Sequence, residues 1–275
     1  MDVKPNSDIP VMSPVENEEF DIGHSDKIVG LFTEPGKTFS KMSNFPPKTV
    51  DWIIPILIVI VVTILSQIVL MNNPVIKHAI MEKNIAKIEK QYKEMVEKGQ
   101  ISQSQADEQL DTMRDRMEKG GVLQLIGIII AIPIFTFIFF FIVSGVLLII
   151  AKYILGGEGT YKSAMAAYGL PFYVVALQVI IMVIAALVMN KFLTGISAAD
   201  LMSTDKSTFM GFVLGKLDIF SIWFYILVGI GLAKMFKSDN SSKYIIASLG
   251  MWIGFSLLFF LLAKVWPFLN WFMPA

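Results

Sequence analysis

The stretch VLQLIGIIIAIPIFTFIFFFIVSGVLLIIA, residues 122–151, decides the fold, because it runs for 30 residues without a charged side chain. A helix crosses the hydrocarbon core of a bilayer in about 20 apolar residues. A shorter stretch, Ile219–Ala233, reaches about 18 residues if Lys234 extends its side chain to the interface. The sequence therefore predicts an all-α polytopic membrane protein with five transmembrane helices. The other three charge-free stretches are Trp52–Met71, Ala164–Met189 and Tyr244–Ala263.

The composition also favours a bilayer environment. Hydrophobic residues make up 55% of the 275-residue chain and charged residues 17%, with a mean hydropathy of +0.63. A soluble domain carries about 25% charged residues. The 23 basic and 23 acidic side chains cancel, so no overall charge attracts nucleic acid. With no cysteine and only His24 and His78 as imidazoles, the chain is expected to hold neither a metal nor a cofactor.

Two segments precede the first span. Residues 1–25 are acidic and have little apolar periodicity, which predicts a disordered acidic arm and no signal peptide. In residues 26–50, Phe39 and Met42 lie beside two lysines, which predicts an interfacial amphipathic segment. The five-helix membrane domain is then expected to comprise residues 51–72 and 121–275.

Residues 73–120, between the first two spans, have a helical periodicity of their own. Two apolar runs are separated by Gly99, a helix stop, and by Ser102 with Gln105, a capping-box start. The pattern predicts an antiparallel helical hairpin outside the bilayer. The alternative is two solvated extensions of the neighbouring spans. The seam of the predicted hairpin consists of Met81, Ile85, Ile88, Tyr92, Met95, Ala106, Leu110, Met113 and Met117.

The distribution of basic residues predicts the orientation in the cell membrane. Five spans place the two termini on opposite sides. The segments on the side of the N-terminus hold 10 Lys and Arg against 13 on the other side, or against 4 when the charge-balanced hairpin is left out. Because long folded loops escape the positive-inside rule, we expect a cytoplasmic N-terminus, with the hairpin and the C-terminus on the opposite side.

Candidate chemistry is sparse. The five predicted spans contain no ionisable side chain, and no complete hydrolase or phosphate-binding motif occurs. Lys216, Asp218 and Trp223 stand around the start of the fourth span and are interpreted as boundary residues, with a proton relay through Asp218 as the less favoured alternative. Gly250 and Gly254, four residues apart in the last span, predict a close helix contact. We therefore predict no catalytic residue.

The segment LGGEGTYKSAMAAYGLP, residues 155–171, contains a glycine-rich turn, an aromatic residue, and a Tyr followed by a Pro three residues later. It resembles the signature between spans two and three of the Yip-one membrane protein family. A second segment, LGKLDIFSIW at residues 214–223, is similar to the start of span four in bacterial members. The resemblance covers about residues 28–266. Its motif residues are Gly156, Gly157, Gly159, Tyr161, Tyr168, Pro171, Lys216, Asp218 and Trp223.

The resemblance implies a five-helix membrane domain with a cytoplasmic N-terminus and no catalytic residue. Eukaryotic members are associated with Rab-type GTPases and vesicle traffic. Their Asp-Leu-Tyr-Gly-Pro motif is absent here, and the long insertion after the first span looks closer to bacterial, inner-membrane relatives.

The leading hypothesis is a non-catalytic integral membrane scaffold or adaptor. Its expected partners are membrane lipids, an unidentified membrane or envelope protein, and a second copy of the chain. The alternative is a permease component or a transporter of lipids or small molecules, which requires a crevice between helices kinked at Pro133 and Pro171. An intramembrane enzyme is a third hypothesis, and it requires paired ionisable groups at one membrane depth.

Overall fold

The computed structural model describes residues 22–119 and 121–265 of the chain. The predicted acidic arm lies almost entirely outside the described residues. The side chain of Met117, the last residue of the predicted hairpin seam, also lies outside them. The described part is helical and contains no strand. Its helices are α1 (His24–Thr33), α2 (Pro35–Met42), α3 (Val50–Met71), α4 (Pro74–Glu97), α5 (Gln103–Lys119), α6 (Gly121–Leu148, continued by the π-helical turn Ile149–Ile154), α7 (Tyr161–Gly169), α8 (Phe172–Val188), α9 (Ala198–Leu201), α10 (Phe209–Gly215), α11 (Ile219–Met235) and α12 (Ser241–Val265).

Four helical segments of the described chain are long and apolar enough to cross a membrane. A fifth crossing results if α10 and α11, which are bent by 62° relative to each other, form one span. α11 alone has 17 residues, or about 26 Å, slightly less than the hydrocarbon core of about 30 Å. The predicted all-α polytopic membrane fold is confirmed. The four segments are Val50–Met71, Ile129–Ile154, Tyr161–Val188 and Ser241–Lys264.

α11 lies at the centre of the bundle and packs against α12, α7, α8 and α2. Its contact with α12 is close because Gly229 has no side chain, and a Cβ there would lie 2.4 Å from the Cα of Ile245. Small residues allow such approaches where surrounding lipid removes the hydrophobic drive for helix association. The rings of Phe140, Tyr168 and Phe224 fill the space between α6, α7 and α11.

We name the two ends of the bundle after the first and last residues of α3. At the Val50 end, the side chain of Lys243 at the start of α12 donates a hydrogen bond to the carbonyl of Leu155 after α6. At the Met71 end, Asn73 after α3 donates to Asn190 after α8. α3 and the α7–α8 segment therefore run in the same direction, and α6 and α11 run against them.

The segment predicted to lie in the interface forms two helices, α1 and α2, that pack onto the bundle at the Val50 end. Leu31 and Phe39 are fully buried. The Phe39 ring lies against Gly231 of α11, where a Cβ would come within 2.9 Å of it. α1 begins at His24, so the helical structure starts inside the predicted arm.

α4 and α5 pack against each other beyond the Met71 end. Arg114 of α5 donates to Glu89 of α4. In the connection between them, the backbone N–H groups of Ser102 and Gln105 donate to each other's side chains at 2.9 and 3.2 Å. The described seam residues are partly buried, and Ala106 is 2% exposed. That these helices lie outside the bilayer stays a prediction.

Candidate functional site

The glycine-rich turn joins α6 to α7 at the Val50 end. Gly156 has a φ of +71°, a backbone conformation that favours glycine. A Cβ on Gly159 would lie 2.6 Å from the ring of Phe236, and one on Gly157 would lie 2.3 Å from the hydroxyl of Tyr244. The turn therefore packs directly on the connection between α11 and α12.

Hydrogen bonds fix this turn in place. The backbone N–H of Glu158 donates to the carbonyl of Phe236 at 2.9 Å, and that of Gly157 donates to Ala151 at 2.9 Å. Thr160 caps the N-terminus of α7 and forms a reciprocal capping box with Ser163. The turn thus ties together the ends of three spans.

A cavity of about 380 Å³ opens beside the turn. One wall comes from the connection between α2 and α3, and the others come from the turn and from the ends of α6 and α11. Lys152 and Lys237 contribute two positive charges from different elements, and Glu158 contributes one negative charge. The lining residues are Ser43, Phe45, Pro47, Lys152, Gly157, Glu158, Gly159, Thr160, Ser163, Met235 and Lys237.

The remaining residues of the 155–171 motif hold helices together. The Tyr161 hydroxyl donates to the carbonyl of Phe141 in α6 at 2.8 Å. Tyr168 is 8% exposed and stacks on Phe140, with ring centroids 5.5 Å apart. Pro171 stands at the junction of α7 and α8, within one candidate span.

The three predicted boundary residues of the fourth span do not share a site. Asp218 is 7% exposed and caps α11, accepting hydrogen bonds from the Phe220 N–H at 3.1 Å, from the Ser221 hydroxyl and from the Gln178 amide at 2.8 Å. Lys216 lies between aromatic rings, 5.2 Å from the centroid of Phe212 and 5.3 Å from that of Trp252. Trp223 contacts Phe32 of α1, with ring centroids 5.5 Å apart. Each residue joins a different pair of elements.

A buried ion pair was missed by the sequence analysis. The Lys27 Nζ lies 2.9 Å from Oδ1 of Asp51, and both side chains are 3% exposed. Beside it, the His24 Nε2 lies 2.7 Å from the Tyr173 hydroxyl, and burial lowers the pKa of His24 below its ordinary value. The only sequence signal is one lysine directly before an apolar stretch and one aspartate directly before a predicted span.

A second polar cluster lies in the connection between α8 and α10, at the Met71 end. Lys206 lies 2.7 Å from Asp200, whose side chain is 6% exposed. Burial opposes ionisation of Asp200, but hydrogen bonds from Lys206, Ser197 and Thr194 outweigh it and lower its pKa to about 2. This cluster folds the connection that leads into α10.

Gly250 and Gly254 make no close contact with other elements in the described part of the chain. They lie on the exposed side of α12, and a Cβ on either residue would have no described atom within 4 Å apart from the neighbouring backbone of α12 itself. In the described part of the chain, no three His, Cys, Asp or Glu side chains are placed to hold a metal ion.

These features define a multi-pass helical membrane protein in which several polar side chains join one helix to another. The sequence model of the Yip1 domain matches residues 29–263, most of the chain. The chain belongs to this family, as the resemblance indicated, and the family is one of non-enzymatic membrane proteins. A search of curated proteins and a search of solved structures gave no match.

Proposed function

We propose that this chain is a non-catalytic membrane scaffold or adaptor that binds protein or lipid partners at the two ends of its bundle. The observation that carries the proposal is the engagement of the buried carboxylates of Asp51 and Asp218. Asp51 pairs with Lys27, and Asp218 accepts three hydrogen bonds as a helix cap. Both groups stabilise helix contacts, which is a structural role.

The α4–α5 pair supports a protein-binding role at the Met71 end. Its base is tied to the bundle, because Ile76 is fully buried with Leu70 and Ala186. The remainder of the pair projects partly exposed apolar and charged side chains. Methionines on such a surface can adapt to different partners.

Deleting the outer part of this pair tests the proposal. Residues 82–118 are replaced by a short Gly-Ser linker, so that Ile76 stays in place, and the proteins that co-purify from native membranes are compared with those of the intact chain. We expect specific partners to be lost only from the deletion variant. An unchanged set of partners would contradict this role for α4 and α5. A matched control replaces Arg114 with Gln, which removes its ion pair with Glu89 and keeps both helices.

We also propose that the exposed side of α12 binds a second copy of the chain through Gly250 and Gly254. Two glycines four residues apart let helix backbones approach closely. The chain has no cysteine, so a single Gly254→Cys substitution reports directly on this contact through disulfide crosslinking in membranes. Ser248→Cys is the control, because Ser248 is 1% exposed and faces α11. Equal crosslinking of both variants, or of neither, would refute the contact.

We further propose that the Val50 end faces the cytoplasm, on the basis of the lysines that surround it. In membrane vesicles of known orientation, an impermeant maleimide should label Glu108→Cys from the non-cytoplasmic side and Ser40→Cys from the cytoplasmic side. Both positions are exposed. Reversed labelling would reverse the orientation.

A further inference from the structure

We propose that the cavity at the Val50 end binds the phosphate headgroup of a membrane phospholipid. The inference deepens the lipid-binding part of the proposed function, and it does not depend on the α4–α5 pair. The cavity and the α4–α5 pair lie at opposite ends of the bundle. These ends are about 33 Å apart, because α3, which connects them, has 22 residues.

The charges around the cavity suit a phosphate. Lys152 at the end of α6 and Lys237 after α11 approach it from different elements. The hydroxyls of Thr160 and Ser163 lie at the N-terminus of α7, where the helix dipole adds partial positive charge. With Glu158 counted, the lining has a net charge of +1 from its two lysines and one glutamate. Lysine provides charge-assisted hydrogen bonds to phosphate oxygens.

The position of the cavity suits a lipid better than a soluble phosphate. The candidate spans end at Ile154 and begin again at Tyr161, so the turn between them lies at the level of the headgroups. Tyr153 and Ile154 are 73% and 70% exposed directly beside Lys152. Such residues face lipid at the membrane boundary. A headgroup bound beside Lys152 can therefore keep its acyl chains in the bilayer.

The lining also offers an apolar side. Phe45, Pro47 and Met235 form part of the wall. A glycerol backbone can pack against these side chains while its phosphate contacts the lysines. The volume of about 380 Å³ lies within the range of about 300–1,000 Å³ that small-molecule sites occupy. A mixed wall of this kind matches the amphipathic character of a phospholipid.

Native mass spectrometry of the full-length protein tests the site. The protein is released from detergent in the presence of phosphatidylglycerol, phosphatidylethanolamine or inorganic phosphate, and the retained molecules are counted. The test variants are Lys152→Ala, Lys237→Ala and their combination. Lys162→Ala is the matched control, because Lys162 is exposed on the same end of the bundle and does not line the cavity. Thermal unfolding of each variant shows whether the fold is retained.

We expect Lys152→Ala and Lys237→Ala each to lower the affinity for phosphatidylglycerol about tenfold, since a charge-assisted hydrogen bond contributes roughly this much, and we expect their combination to lower it further. Lys162→Ala should leave the affinity unchanged. Glu158→Gln should raise the retention of phosphatidylglycerol relative to phosphatidylethanolamine, because the remaining charge of the lining becomes more positive. This last variant keeps the test decisive even if the double lysine variant does not fold.

Three results would overturn the proposal. The double variant could retain phosphatidylglycerol as the control does, or Glu158→Gln could leave the lipid ranking unchanged. Displacement of the lipid by millimolar inorganic phosphate would assign the site to a soluble anion. Loss of lipid with an unchanged set of co-purified proteins would separate this site from the protein-binding role.

Discussion

Removing the carboxylate of Asp51 should strongly destabilise the protein. The Lys27–Asp51 pair is 2.9 Å long, and both side chains are 3% exposed, so solvent screens it very little. Asp51→Ala leaves the Lys27 ammonium buried without this counter-charge, which costs about 3–5 kcal/mol. At about 2–4 °C per kcal/mol for a chain of this size, the melting temperature should fall by roughly 6–20 °C.

The double variant Lys27→Met/Asp51→Leu separates charge from packing. Replacing both members of a buried pair with apolar residues is about neutral, because neither desolvated charge remains. Thermal unfolding in detergent measures all three proteins. The labelling rate of a cysteine introduced at the fully buried Leu31 reports whether α1 detaches. Unfolding of Asp51→Ala within about 2 °C of the intact protein, or a double variant as unstable as the single one, would refute this role of the ion pair.

Substitution and thermal unfolding also test three other contacts. Gly229→Ala should destabilise the protein by several kcal/mol because its Cβ would overlap the backbone of α12. Gly127 has open space around it, so the control Gly127→Ala should be neutral or stabilise the protein by up to about 1 kcal/mol. Asp200 has a pKa lowered to about 2, so the stability it contributes is present above about pH 4 and is lost as the pH falls towards 2. Asp200→Asn should therefore be less stable than the intact protein at pH 6, and the difference should disappear near pH 2; a constant difference would contradict the assignment. Asp218→Ala should cost about 2–4 kcal/mol through the lost cap and the unpaired Gln178 amide, whereas Asp218→Asn, which can still cap the helix, should cost less than half as much. Equal losses would show that the cap contributes little.

The spans were predictable because the hydropathy of a segment depends only on its own residues and not on the rest of the fold. The first span was predicted as Trp52–Met71 and is found as Val50–Met71. The shortest predicted span, the stretch at Ile219, belongs to a bent segment in the structure. Its helix is preceded by α10 at an angle of 62°. Hydropathy does not encode that angle, because α10 packs on α9 and its Phe212 ring lies 4.8 Å from the Phe260 ring of α12.

The contacts of the candidate sites were less accessible to sequence reasoning. The glycines at 157 and 159 mark a turn, but the reason for them lies in Phe236 and Tyr244, about 80 residues further along the chain. The buried pair joins residues 24 positions apart across two helices. A lysine near an apolar stretch usually extends its amine to water, and only the position of Asp51 beside it in the folded protein shows that Lys27 does not.

The buried pair and the proposed lipid site lie at the same end of the bundle and share a structural element. Ser43, Phe45 and Pro47 belong to the connection that runs from α2 to α3, and α3 carries Asp51 in its first turn. Because the ion pair holds α1 against α3, it also limits the movement of that wall of the cavity. Asp51→Ala should therefore lower phosphatidylglycerol retention at temperatures where the protein is still folded, and Lys27→Met/Asp51→Leu should restore it. If retention stays unchanged in Asp51→Ala while α1 detaches, the lysines bind the phosphate without any contribution from this wall.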